Sequence, residues 1–112
     1  MTKKLSLILV SFAISLSAYA KTQNYILVDG GGVDDLSLML KNVQGKTIHA
    51  YCDQKCGKWF DPDEEIDGQT LKKQYFEKKV QADIKLEKNA GRVAGPSDDE
   101  SFYFIKHIKL LK

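Results

Sequence analysis

The chain has 112 residues, of which 43% are hydrophobic and 29% charged, with two cysteines and two histidines. Its first 20 residues read as an export signal; without the signal's Lys3 and Lys4, 15 basic residues face 15 acidic ones and the formal charge is zero. A nucleic-acid binder draws most of its affinity from a basic excess, so that class is excluded, and the 92 residues left suffice for one small domain, not two.

The signal, "MTKKLSLILVSFAISLSAYA", has a basic start, an apolar run from Leu5 to Ala18 and a small-residue site, Ala18-Tyr19-Ala20, with cleavage expected after Ala20. The apolar run is shorter than the roughly 20 residues a bilayer needs, so no membrane span is expected. No cysteine stands at the cleavage point to carry a lipid. The style is bacterial and places the product in the periplasm or outside the cell, where disulfides persist.

Residues 21–33 read as an N-terminal strand, Tyr25 to Val28, running into a glycine-rich turn, Gly30 to Gly32. The triplet lacks the spacing of a phosphate-binding loop. Residues 34–112 read as a single domain. In "DDLSLMLKNVQG", Leu36, Met39, Leu40 and Val43 fall at helical spacing while Leu36, Leu38 and Leu40 alternate. Asp34 or Asp35 as N-cap and Asn42 or Gly45 at the other end favour a short helix.

"KTIHAYC" then changes to period two, with Ile48, Ala50 and Cys52 on one side and Thr47, His49 and Tyr51 on the other. "GKWF" resumes a strand at Trp59 and Phe60, so that two strands meet at the cysteine turn. "DPDEEIDG" is an acidic loop, and "LKKQYF" a short helix or turn. In "KKVQADIKLEK", Val80, Ala82, Ile84 and Leu86 alternate cleanly with charged and polar residues. "NAGRVAGPSDDE" is a polar turn region with room for a short strand at Arg92–Ala94. The terminal strand "SFYFIKHIKLL" loses phase near Ile105 and Lys106, where a bulge would place Phe102, Phe104, Ile108 and Leu110 on one face.

These elements point to a mainly β fold: a small antiparallel barrel of about five strands with a short helix near the N-terminus. Closure protects the edges of so small a sheet. The segments "LSLMLKNVQGKTIHAYC", "QYFEKKVQADIK" and "ESFYFIKHIKLL" resemble the corresponding parts of small exported OB-fold-like proteins. The resemblance covers residues 34–112 and carries no invariant motif. It implies a barrel that binds ligands or proteins on a sheet face, and leaves the ligand open.

Cys52 and Cys56 would lie about 13 Å apart on an extended strand, too far for a disulfide, which needs Cα atoms within about 7 Å. A turn through "DQK", with Gly57 free to take a positive φ, brings them into range, and a structural Cys52–Cys56 disulfide is expected. The alternative is a metal-handling protein that holds copper or zinc with His49, Cys52 and Cys56, and with His107 from the last strand. The CxxxC pair with a distant histidine is similar to that of thioredoxin-like copper chaperones, but those proteins place it at a strand-to-helix junction that this chain lacks.

The acidic loop at 61–68 fails the calcium-loop pattern, because Gly68 comes two places late and Lys72 occupies the position of the final acid. Neither histidine stands in a catalytic motif. The expectation is therefore a non-enzymatic module without cofactor or bound metal. It would recognise an envelope protein, a sugar or a small ligand through His49, Tyr51, Trp59 and Tyr103.

Overall fold

The computed structural model describes residues 22–111. The expected signal peptide, residues 1–20, lies outside them. Seven strands are formed: β1 (Thr22–Gly32), β2 (Ser37–Asn42), β3 (Thr47–Tyr51), β4 (Phe60–Asp63), β5 (Gly68–Leu71), β6 (Lys79–Lys88) and β7 (Ser101–Leu110). A 3-10 turn at Lys73–Tyr75 is the only helical element among the described residues.

Five of the strands close a barrel in the order β1-β2-β3-β7-β6 and back to β1. Strand directions cannot alternate around a ring with an odd number of members. One parallel contact is therefore forced, and it falls between β3 and β7, at Ala50↔Tyr103 and Tyr51↔Phe104. The barrel is mixed, which corrects the all-antiparallel expectation.

The expected N-terminal helix is a strand. β2 pairs with β1 on one side and β3 on the other, and of the two competing patterns the alternating one is realised: Leu38 and Leu40 are fully buried, while Val43, which the helix would have turned inward, is 84% exposed. The residues that looked like helix caps have other partners. Asn42 Oδ1 accepts from the backbone N–H groups of Gln44 and Lys46, both at 2.9 Å, and so builds the β2–β3 turn, where Gly45 takes φ +88°. Asp35 accepts from a distant loop, described below.

Within residues 21–33, read in sequence as a segment ahead of the barrel, Thr22–Gly32 is the barrel's first strand. β1 pairs with β6 through Thr22–Ile26 and with β2 through Tyr25–Gly31, and its register shifts at Val28. A bulge of this kind bends a strand enough to serve two neighbours. The glycines then let a third chain segment approach. Gly31 and Gly32, at φ +148° and +157°, also pair with Thr70 and Gln69 of β5. A Cβ on Gly31 would lie 2.5 Å from the Gln69 carbonyl oxygen. The acidic loop is thus a hairpin, β4 and β5, hung on the end of β1.

The core joins Tyr25 and Leu27 of β1, Leu38 and Leu40 of β2, Ala50 of β3, Val80 and Ala82 of β6 and Ile105 of β7. β6 follows its alternation at Val80 and Ala82, which are buried, and in part at Ile84, but Leu86, read as inward, is 60% exposed near the strand's end. β7 carries the expected bulge: Asp83↔His107 is followed by Ile84↔Ile105, leaving Lys106 unpaired. Its effect differs from the expectation. Directly opposed residues share a face, so Tyr103, Ile105, Ile108 and Leu110 fall on the side of Leu86, Ile84, Ala82 and Val80, while Phe102 and Phe104 take the outer side with Glu87 and Lys85. No strand forms at Arg92–Ala94.

Candidate functional site

Cys52 and Cys56 form a disulfide, with Cα atoms 5.3 Å apart. The chain turns between them as the spacing requires, but Asp53 and Gln54, not Gly57, take the positive φ values, +47° and +64°. The bond does not pin a hairpin either, because β3 and β4 are not paired. It closes a loop at the end of β3. Gly57 has another role: a Cβ there would lie 2.7 Å from the Trp59 indole nitrogen, so its bare backbone makes room for the ring.

The four residues expected to recognise a ligand do not share a surface. His49 and Tyr51 do, on the outer face of β3, with ring centroids 4.9 Å apart. His49 Nε2 lies 2.8 Å from Ser37 Oγ. Trp59 is buried, stacked at a tilt on Tyr75 with centroids 5.5 Å apart, and it fastens the hairpin to the barrel. Tyr103 pairs with Ala50 and Leu86, which puts it on the opposite face of the sheet from Tyr51. The disulfide occupies both sulfurs of the metal-handling alternative, so His49 has no thiolate beside it. His107 sits opposite Asp83 in the β6–β7 ladder.

What Tyr51 does join is a cleft of about 320 Å³. One wall is the β1–β2 turn, with Asp34, Asp35 and Leu36. Another is the cysteine loop from Tyr51 to Gly57, and a third is Arg92 and Val93 of the β6–β7 loop; Phe60 and Gln69 of the hairpin complete it. Phe104 forms the floor. It packs on Tyr51, with centroids 6.1 Å apart, and although it points outward from the barrel it is fully buried. The cover is Arg92, whose guanidinium carbon lies 3.7 Å from the Phe104 ring centroid.

Arg92 is held on all sides. Nε donates to the Asn89 carbonyl at 3.2 Å and Nη2 to the Lys88 carbonyl at 2.7 Å. Nη1 donates to Asp53 Oδ2 at 3.3 Å and Glu87 Oε1 at 3.1 Å. The loop that presents it is organised by Asn89, a fully buried polar residue. Asn89 Oδ1 accepts from Val93 N at 2.6 Å, which fixes the amide's orientation, and the two Nδ2 hydrogens face the carbonyls of Val93, Pro96 and Ser97 at 3.0 to 3.3 Å. Asp35 Oδ2 accepts from Ala94 N at 2.8 Å and ties this loop to the β1–β2 turn across the cleft. No known protein family, curated protein or solved structure matches the chain.

Sequence reasoning found the disulfide and the outward direction of Tyr51, which lines the cleft while His49 does not; it missed Phe104, Arg92, Asn89 and the walls formed by the β1–β2 turn and the β6–β7 loop. The one available signal was Asn89 itself, an asparagine at the end of the cleanest strand in the chain, where a polar side chain commonly bonds the following turn.

The carboxyl of Glu87 lies below the usual carboxylate range because Lys106 (3.0 Å) and then Arg92 donate to it. A carboxyl depressed in the folded chain contributes stability that is complete above its unfolded-state pKa and is lost as pH falls through the folded value. The melting temperature is therefore expected to decline on acidification below roughly pH 5. Glu87→Gln should be less stable than wild type at neutral pH and show a shallower acid decline, measured by thermal melts across that range.

Proposed function

We propose that the protein is a small non-enzymatic binding module of the bacterial envelope, exported and then folded in an oxidising space, which holds part of a partner protein, a sugar or a small ligand in this cleft. The observation that carries the reading is the position of the cleft on the barrel. OB-fold barrels bind along the sheet face between the loop joining their first two strands and the loop joining their last two. Here those loops are Val33–Leu36 and Asn89–Glu100, and they stand on either side of the cleft. The order of the five barrel strands supports an OB-like relationship.

The lining supports binding in chemical terms. It offers the Tyr51 ring and the Cys56 end of the disulfide for apolar contact, carboxylates at the rim, and a loop already braced by hydrogen bonds, so little ordering cost falls on association. The acidic rim argues against nucleic acid. The test is capture from an envelope extract on immobilised mature protein with the disulfide intact. Retention by wild type and Tyr103→Ala, with loss on Tyr51→Ala, is the expected result. Equal retention by Tyr51→Ala, or none by any form, would refute the reading.

A further inference from the structure

We infer that the cleft is built for a cationic side chain, foremost an arginine projecting from a basic segment of a partner protein; the inference rests on the binding reading above. The aromatic ring open to the cleft is that of Tyr51; Phe104 beside it is fully buried and already carries a guanidinium, that of Arg92, whose central carbon lies 3.7 Å from the ring centroid while its Nη1 reaches Asp53. A planar, weakly hydrated cation suits an aromatic face with carboxylates at its edge, and an ammonium suits it less.

Arg92 itself does not neutralise the cleft for an incoming charge. Its donors are committed to Asp53, Glu87 and two carbonyls, and Glu87 also takes Lys106. In the lining Arg92 is balanced by Asp53, which leaves Asp34 and Asp35, the latter accepting from Ala94 N, as the excess acids. Asp34 is exposed at the rim, and Tyr51, half-buried beside Phe104, supplies the aromatic ring that an incoming cation would meet.

The negative surface continues beyond the cleft. Residues 60–69, whose Phe60 and Gln69 line it, contain five acidic residues and no basic one. Lys72 is paired to one of these acids, Asp61, at 3.9 Å. Of the compensating basic residues, Lys55 lies in the cysteine loop with its Nζ 3.3 Å from the Asp53 carbonyl, and most of the others come after residue 70. A basic segment anchored by arginine in the cleft would run on over the hairpin, steered there by charge.

The experiment is an NMR titration of the oxidised mature protein with acetyl-Gly-Arg-Gly-amide and its Lys, Gln and Glu counterparts, and with a neutral oligosaccharide. The arginine peptide is expected to shift the amide resonances of Asp34, Tyr51, Asp53 and Val93 saturably, ahead of lysine, and to weaken as salt rises. Asp34→Asn should weaken it by about three- to fivefold, and Tyr51→Ala by about fivefold or more. No shift with the arginine peptide, or an equal one with glutamine, overturns the inference. If the oligosaccharide shifts these resonances and the arginine peptide does not, the inference falls and the binding reading stands. If no probe moves them and the extract yields no Tyr51-dependent partner, both fall.

Discussion

Asn89→Ala is expected to cost about 3 kcal/mol of stability, read from the shift in a urea denaturation midpoint, because a buried amide that satisfies several backbone groups at once is removed. The alanine would leave the Val93 N–H without its acceptor and the carbonyls of Val93, Pro96 and Ser97 without their donor. Val93 is itself buried, so water cannot reach its N–H without the loop opening. Asn89→Asp separates the two halves of this role. It keeps the acceptor for Val93 N but turns a carboxylate toward carbonyl oxygens, so it should be at least as damaging as alanine at neutral pH. Both variants keep the Asn89 backbone carbonyl that accepts from Arg92 Nε and N–H, so Arg92 would leave Phe104 only through rearrangement of the loop around position 89. A loss below about 1 kcal/mol for alanine would mean that the loop holds its shape without the amide.

The difference between what the sequence could and could not disclose follows from how far apart the interacting residues lie along it. β6 was legible because one of its faces is packed and the other solvated, so Val80 and Ala82 alternate with Lys79, Gln81 and Asp83. The bulge in β7 was legible as a break in phase, but which residues it turned inward depended on pairing with β6, which no single strand records. β2 was ambiguous because both periods fit its leucines, and only the two neighbouring strands decide between them. The acidic hairpin was read as a loop because its strands are short, polar and interrupted by Pro62; what makes them strands is the backbone of Gly31 and Gly32 alongside.

The cleft divides in the same way. The disulfide joins residues four apart, and chain geometry alone demands the turn between them. Arg92 and Asp53 are 39 residues apart, and Ala94 and Asp35 are 59 apart. Nothing local announces either contact. The aromatic residues show the limit most plainly: alternation rightly turned Tyr51 outward, but Trp59 became part of the packing under the hairpin, and the closing parallel contact set Tyr103 on the face opposite Tyr51. Phe104, the residue that replaces them at the site, looks in sequence like any core phenylalanine, and it is buried by an arginine instead of by the barrel.

Cys52→Ser with Cys56→Ser, or reduction of the native protein, is expected to lower stability by about 2 kcal/mol, the loop-entropy value for so short a ring. The more informative consequence is local. Asp53 and Gln54 hold positive φ inside the ring, a conformation that disfavours residues with a side chain and persists only where the surroundings enforce it. With the bond cut, those residues are free to relax, and Asp53 would leave Arg92. The coupling can be measured directly. In the oxidised protein, Asp53→Ala should remove a partner of Arg92 and cost about 0.5 to 1 kcal/mol, as a partly exposed pair does. In the Cys52→Ser, Cys56→Ser background the same change should cost close to nothing, because the contact it deletes has already gone. Equal costs in the two backgrounds would show that the loop keeps its shape without the disulfide, and that the bond contributes stability but does not position the cleft wall.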